Sequence, residues 1–290
     1  MKLGLTPATL RVLSIAISLL LPGELPPPQS QKTERGLFGV NLRPEAVRLL
    51  NDVERRVGKP VRGEVIGTLG WGIGGVSTIL EDGTPVIRLI KSLEKDETTI
   101  VHELCHLKMD LFESVVWKLS PAASYNIDEA LLDKLNLRLL NSISHWKFYP
   151  EMRAMGYDPD EMDRSNLEAI IKMSPQDALT ALGIDSQLIS LIYVTSSLEI
   201  SDRNLVAKLE DWYKKNDLET QLDLAKNLLR VIEGTRTNAV ERQASTFVRC
   251  LNILLKDLVQ FKITKMETEM RGSFSTRVVT IEIVEPKSGS

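Results

Sequence analysis

Two histidines and a glutamate fall within five residues, His102-Glu103-Leu104-Cys105-His106. On a helix, residues i and i+4 share a face one turn apart, so both imidazoles can reach a single metal ion. Glu103 then stands beside that ion. Water activation by Zn²⁺ needs neutral nitrogen ligands, a coordination position left open, and a carboxylate close enough to take a proton from the water. His102 and His106 are therefore the candidate metal ligands, Glu103 the candidate catalytic base, and Zn²⁺ the expected cofactor. The competing reading is a pair of histidines on a half-buried helix that binds no metal.

The neighbouring residues predict the helix that must carry these groups. Asp96 is a suitable N-cap, Ile100, Leu104, Leu107, Leu111 and Val115 follow the 3.6-residue period, and Ser120-Pro121 supplies a stop. Ahead of it, Leu42 to Val57 reads as a second helix, with Pro44 near its start and Gly58 just past its end. Three β-like segments lie between the two helices: Val61 to Ile66, Gly75 to Leu80 and Pro85 to Lys91. The last two flank Glu81-Asp82-Gly83-Thr84, and Asp-Gly between alternating runs predicts a hairpin. Gly70-x-Gly72 precedes a strand-like run, so it lacks the helix N-terminus that a phosphate-binding loop requires. A tight loop with Trp71 packed in it is expected instead.

The order helix, strands, H-E-x-x-H helix over residues 40 to 150 resembles the upper half of zincin metallopeptidases. The resemblance implies a small twisted sheet beside the metal helix, with Pro85 to Lys91 as the edge strand bordering the cleft. Such an edge binds an extended peptide by adding it as another strand.

Catalytic zinc normally takes three protein ligands, and the motif supplies two. The next predicted helix runs from about Asn126 to Trp146, with Leu131, Leu135, Leu139 and Leu140 on its apolar side. In it, Asp128-Glu129-Ala130-Leu131-Leu132-Asp133 is similar to the N-E-x-x-S-D helix of gluzincins. That likeness implies Glu129 as a zinc ligand, although Asp128 and Leu132 replace the Asn and Ser of the pattern. His145 is the histidine outside the motif. The segment Asn141 to Pro150 around it resembles one in uncharacterised bacterial H-E-x-x-H proteins, with Ser144 where a glutamate commonly precedes the histidine. A straight helix points residues 129 and 145 to nearly opposite sides, so the two are not expected on one ion. His145 or Glu129 is the expected third ligand, with another carboxylate or an incomplete site as the remaining alternatives. Tyr149 is either a packing residue or a donor to a developing oxyanion. Cys105, between the ligand histidines, is expected to be buried.

The whole chain has 290 residues, 43% of them hydrophobic and 26% charged, enough for one large domain or two smaller ones. A net charge of −3 gives no global electrostatic case for nucleic acid. Two widely separated cysteines, Cys105 and Cys250, do not form a disulfide framework and suit a reducing, cytoplasmic compartment. Near the N-terminus, Lys2 and Arg11 precede the apolar run Val12 to Leu21, too short to span a bilayer. With Thr6-Pro7 as cap and first turn it reads as a docked helix, and export through residues 1–28 is the alternative. The prolines and polar residues that follow, through residue 36, form a linker.

From Asp163 onward the pattern is helical: Ser165 to Met173, Pro175 to Leu182, Asp185 to Leu198, Asp202 to Lys215, Glu219 to Ile232 and Thr237 to Val259. Lys262 to Met270 and Thr276 to Val284 read as a terminal hairpin. The expected organisation is α+β and mainly helical: residues 1–36 an N-terminal segment, 37–160 a metal-binding core, and 161–290 a helical region ending in the hairpin. The expected function is a zinc-dependent hydrolase acting on a peptide or protein, without a membrane span or a nucleic-acid partner. The alternatives are a zinc hydrolase of some other substrate, or a non-enzymatic helical interaction protein whose zinc site is structural or vestigial.

Overall fold

The computed structural model describes residues 36–67, 74–112, 115–120, 129–182, 188–235, 240–255, 260–271 and 274–284. The expectations for residues 1–35, for Gly70, Trp71 and Gly72, and for Asn126 lie outside them. The fold is α+β and mainly helical. Among the described residues no helix is long and apolar enough to cross a membrane.

A two-residue ladder, β1 (Gly36–Leu37) with β2 (Val40–Asn41), leads into α1 (Pro44–Val57). Pro44 opens this helix, where its missing N–H costs nothing. Gly58 closes it in the left-handed region at φ 73°, its N–H reaching the Glu54 carbonyl at 2.8 Å, a conformation that a side chain would strain. Ala46, Leu49, Leu50, Val53 and Val57 form the buried stripe.

Three strands follow: β3 (Arg62–Ile66), β4 (Gly75–Ile79) and β5 (Pro85–Ile90). The Asp-Gly hairpin forms as expected, with β4 antiparallel to β5 and Ile79 opposite Pro85. The edge assignment does not hold. The sheet order is β3-β5-β4, with β3 parallel to β5, so β5 is the central strand and β4 is an edge. The reason is visible in β5 itself: Val86, Ile87 and Leu89 are fully buried, and a run with so little exposed surface suits a strand flanked on both sides.

The helix that carries His102, Glu103 and His106 is α2 (Glu97–Phe112). Asp96 caps it, its carboxylate accepting from the Thr98 and Thr99 backbone N–H groups at 3.2 and 3.0 Å. It ends before Val115, which the periodicity had placed on the same stripe. Val115 opens β6 (Val115–Ser120) instead. Strand pairing from far along the chain overrides the local period here, since β6 lies parallel to β8 (Phe274–Val284). With β7 (Gln260–Arg271) the terminal hairpin thus becomes a three-stranded sheet, order β6-β8-β7.

The next helix, α3 (Glu129–Ala154), runs two turns past the expected end and through Pro150. A proline inside a helix costs about 3 kcal/mol. The turns around it bury Phe148, Tyr149 and Met152, and burying such side chains contributes about 1.5–3 kcal/mol each, which outweighs that cost. Among the described residues α3 is followed by six helices: α4 (Glu161–Ile170), α5 (Pro175–Leu182), α6 (Ile189–Glu199), α7 (Arg203–Lys215), α8 (Glu219–Glu233) and α9 (Val240–Leu254).

Two hydrophobic cores result. The smaller joins α1, β5 and α2 to Phe148, Tyr149 and Met152 of α3. The larger takes Leu135, Leu139 and Leu140 from the first half of α3 and packs them with α4 to α9, β7 and β8. One helix therefore serves both cores, and His145 sits between its two halves.

Candidate metal centre

The helical stripe of α2 settles where its polar residues go. Ile100, Val101, Leu104, Cys105 and Leu107 are fully buried beneath it. His102 and His106 emerge together, one turn apart, with their Nε2 atoms 3.2 Å from each other. His145 arrives from α3, its Nε2 3.2 Å from that of His106. One nitrogen from each of the three rings lies within 4.8 Å of the others, so the group could hold a metal ion. Phe148, one turn beyond His145, meets all three imidazoles edge-on with centroids 4.9–5.4 Å away and forms the apolar floor.

The donor chemistry fits Zn²⁺. Nitrogens bound about 2.05 Å from a tetrahedral ion lie about 3.3 Å apart, close to the 3.2 Å that separates His106 from each of the other two rings. Burial, with the neighbouring imidazoles, holds His102 and His106 well below the ordinary histidine pKa, so both are neutral and offer lone pairs. The Nδ1 of His145 lies 2.9 Å from Glu199 Oε1. With the proton donated there, its Nε2 is also a bare acceptor. Three protein nitrogens leave a fourth tetrahedral position for water or substrate. All three histidines retain partial exposure.

Glu103 is 4% exposed and lies against the edge strand β4. Its carboxylate accepts a hydrogen bond from Ser77. Its Oε1 lies only 2.8 Å from where a Cβ on Gly75 would stand, so glycine there is what lets the carboxylate seat against the strand. Burial pushes its pKa up to about 7 against the opposing pull of the Ser77 hydrogen bond and His145. A bound cation would pull the same group down again.

Among the described side chains the cluster is His102, His106 and His145, and the expectation for Glu129 falls on a side chain outside them. Glu129 opens α3, sixteen residues before His145, which is about 24 Å along the helix axis. Tyr149 stacks on the His145 ring at 4.8 Å and 10°, is 2% exposed, and donates its hydroxyl to Asp163 at 3.3 Å. It is a packing wall, with its one proton already placed. Burial, then repulsion from Glu199, pushes the Asp163 carboxyl up to about 6. Cys105 is fully buried, and burial raises its thiol to about 12, which makes it inert.

Sequence reasoning missed Glu199 altogether. It ends α6, more than fifty residues after His145, and its Oε1 accepts from both His145 and the Ser142 hydroxyl, at 2.9 and 2.7 Å. One signal was available: a carboxylate in the last turn of an apolar helix opposes the helix dipole and so needs a compensating partner.

No family model, curated protein or solved structure matches this chain.

Proposed function

We propose that the protein is a zinc-dependent hydrolase, most favourably a peptidase, with His102, His106 and His145 as ligands and Glu103 as general base. The observation that supports this most is the convergence of three imidazole nitrogens beside a carboxylate seated on a strand that is an edge among the described residues. Bound zinc would supply a lowered pKa for water and polarisation of the scissile carbonyl.

The protein's own groups account for the rest of the reaction. Glu103 takes a proton from water as its oxygen attacks the carbonyl carbon. As the carbon–nitrogen bond breaks, the carboxyl returns that proton to the leaving amine. The Ser77 hydrogen bond and the close approach of Gly75 fix where Glu103 points. Phe148 and the stacked Tyr149 exclude water from below the three rings. An extended chain laid along the edge of β4 would present its carbonyls to the strand and one of them to Glu103, which favours a peptide over a compact substrate.

The test is a matched pair of measurements on purified protein. Zinc should bind at about one ion per chain, and Glu103→Gln should retain it while losing hydrolysis of extended peptides by at least about 10²-fold. Wild-type protein that takes up no zinc, or a Gln variant that hydrolyses normally, would refute the assignment. Zinc bound without hydrolysis would favour a structural site in an interaction protein.

A further inference from the structure

We infer that Glu199 is a positioning residue for the metal centre: by accepting from His145 Nδ1 it fixes the tautomer that turns a bare Nε2 toward His102 and His106. The inference rests on the reading that these three histidines hold zinc.

The surroundings of Glu199 do not suit an ordinary structural carboxylate. Its side chain is 12% exposed and sits at the negative end of α6. Among the described residues its ion-pair partner is His145 alone. Arg153 donates to its backbone carbonyl at 3.1 Å, not to its carboxylate. Arg138 is close enough to interact electrostatically, yet its guanidinium donates to the Leu182 carbonyl at 2.8 Å. Asp163 is close enough to repel it. A divalent cation on the far nitrogen of the same ring would polarise the Nδ1–H and strengthen its bond to Glu199.

The geometry also makes the arrangement stiff. Ser142 and His145 are three residues apart on α3, so they share a face, and the same Oε1 grips both. The carboxylate cannot shift toward one without losing the other. Since α6 belongs to the larger core and α2 to the smaller, Glu199 ties the third ligand to a different core from the first two.

Zinc affinity of the full chain, measured by competition with a chromogenic chelator, reads this role directly. Glu199→Ala should bind zinc about 10–100-fold more weakly than wild type. Glu199→Gln, which keeps an acceptor oxygen for Nδ1–H, should recover part of that loss even if both variants melt at the same temperature. A purely structural residue would not produce that split. The metal-free protein offers a second readout, because only three imidazoles contribute to its long-range ¹H–¹⁵N spectrum. His145 should be the Nδ1–H tautomer in wild type and in Glu199→Gln, and a mixture in Glu199→Ala. Wild-type zinc affinity in Glu199→Ala, with the His145 tautomer unchanged, would overturn the inference and leave the three-histidine site standing. A wild-type protein that binds no zinc would overturn both.

Discussion

Adding one methyl group at Gly75 should injure the candidate base without touching the candidate ligands. A Cβ built there stands 2.8 Å from Glu103 Oε1, 3.1 Å from its Cδ and 2.7 Å from Leu89 Cδ2. Ordinary contact begins near 3.4 Å, so the carboxylate must retreat by roughly 0.6 Å. Leu89 is fully buried in the small core and has little room to give way, which directs the displacement onto Glu103. A misplacement of about 1 Å costs about 10²-fold in rate. Roughly half that shift predicts about a tenfold loss in kcat for Gly75→Ala, or about 1.4 kcal/mol in the barrier. Overpacking should also destabilise the fold by about 1–3 kcal/mol, partly offset by the lower backbone entropy of alanine in a strand. The assay is peptide hydrolysis at saturating zinc alongside zinc affinity, and the expected pattern is reduced kcat with affinity within about twofold of wild type. Unchanged kcat and unchanged stability together would mean that β4 does not press on Glu103, and the placement of the base against the strand would be wrong.

Two further outcomes follow from the same geometry. His145→Ala should lower zinc affinity by at least about 10²-fold while Glu129→Gln leaves it unaltered, as measured by chelator competition; the opposite pattern would make Glu129 the ligand. Acid stability should depend on Asp160, which is fully buried. Burial alone would raise its carboxyl, but hydrogen bonds from the Ser201 backbone and hydroxyl and from Arg153 outweigh it and hold the group at about 2. Because the folded pKa lies below the unfolded one, the stabilisation is present above about pH 4 and is lost as pH falls through about 2. Denaturant titrations should show wild type more stable than Asp160→Asn by about 2 kcal/mol at pH 5, with the gap closing toward pH 2. A gap independent of pH would show that the charge contributes nothing.

The local half of the site was legible in the amino-acid order. The spacing of His102, Glu103 and His106, the Asp96 cap, the Pro44 and Gly58 boundaries and the Asp-Gly hairpin each depend on residues within a few positions of one another. Helix period and turn chemistry act over that range, and the structure agrees at each of them. Where the sequence misled, a distant partner had decided the matter. Val115 fits the stripe of α2, yet it pairs with Arg277. The helix expected to end near Trp146 runs on through Pro150, carried by the core that Phe148, Tyr149 and Met152 close. The glutamate and the histidine that competed for the third ligand position were equally plausible by type. Along a continuous α3 the two stand about 24 Å apart, and His145 is the one whose ring meets the histidines of α2 among the described side chains.

What the sequence determined by itself was therefore a pair of nitrogen donors, a carboxylate and the helix that aims them, because one turn of helix fixes all three. The tertiary structure alone decided the third nitrogen, the strand that seats Glu103, and the carboxylate behind His145. Those groups come from Gly75, Ser77, His145 and Glu199, on three elements whose order in the chain says nothing of their proximity. They meet because two apolar cores fold around opposite halves of α3 and bring α2 and α6 to it, with β4 packed against α2.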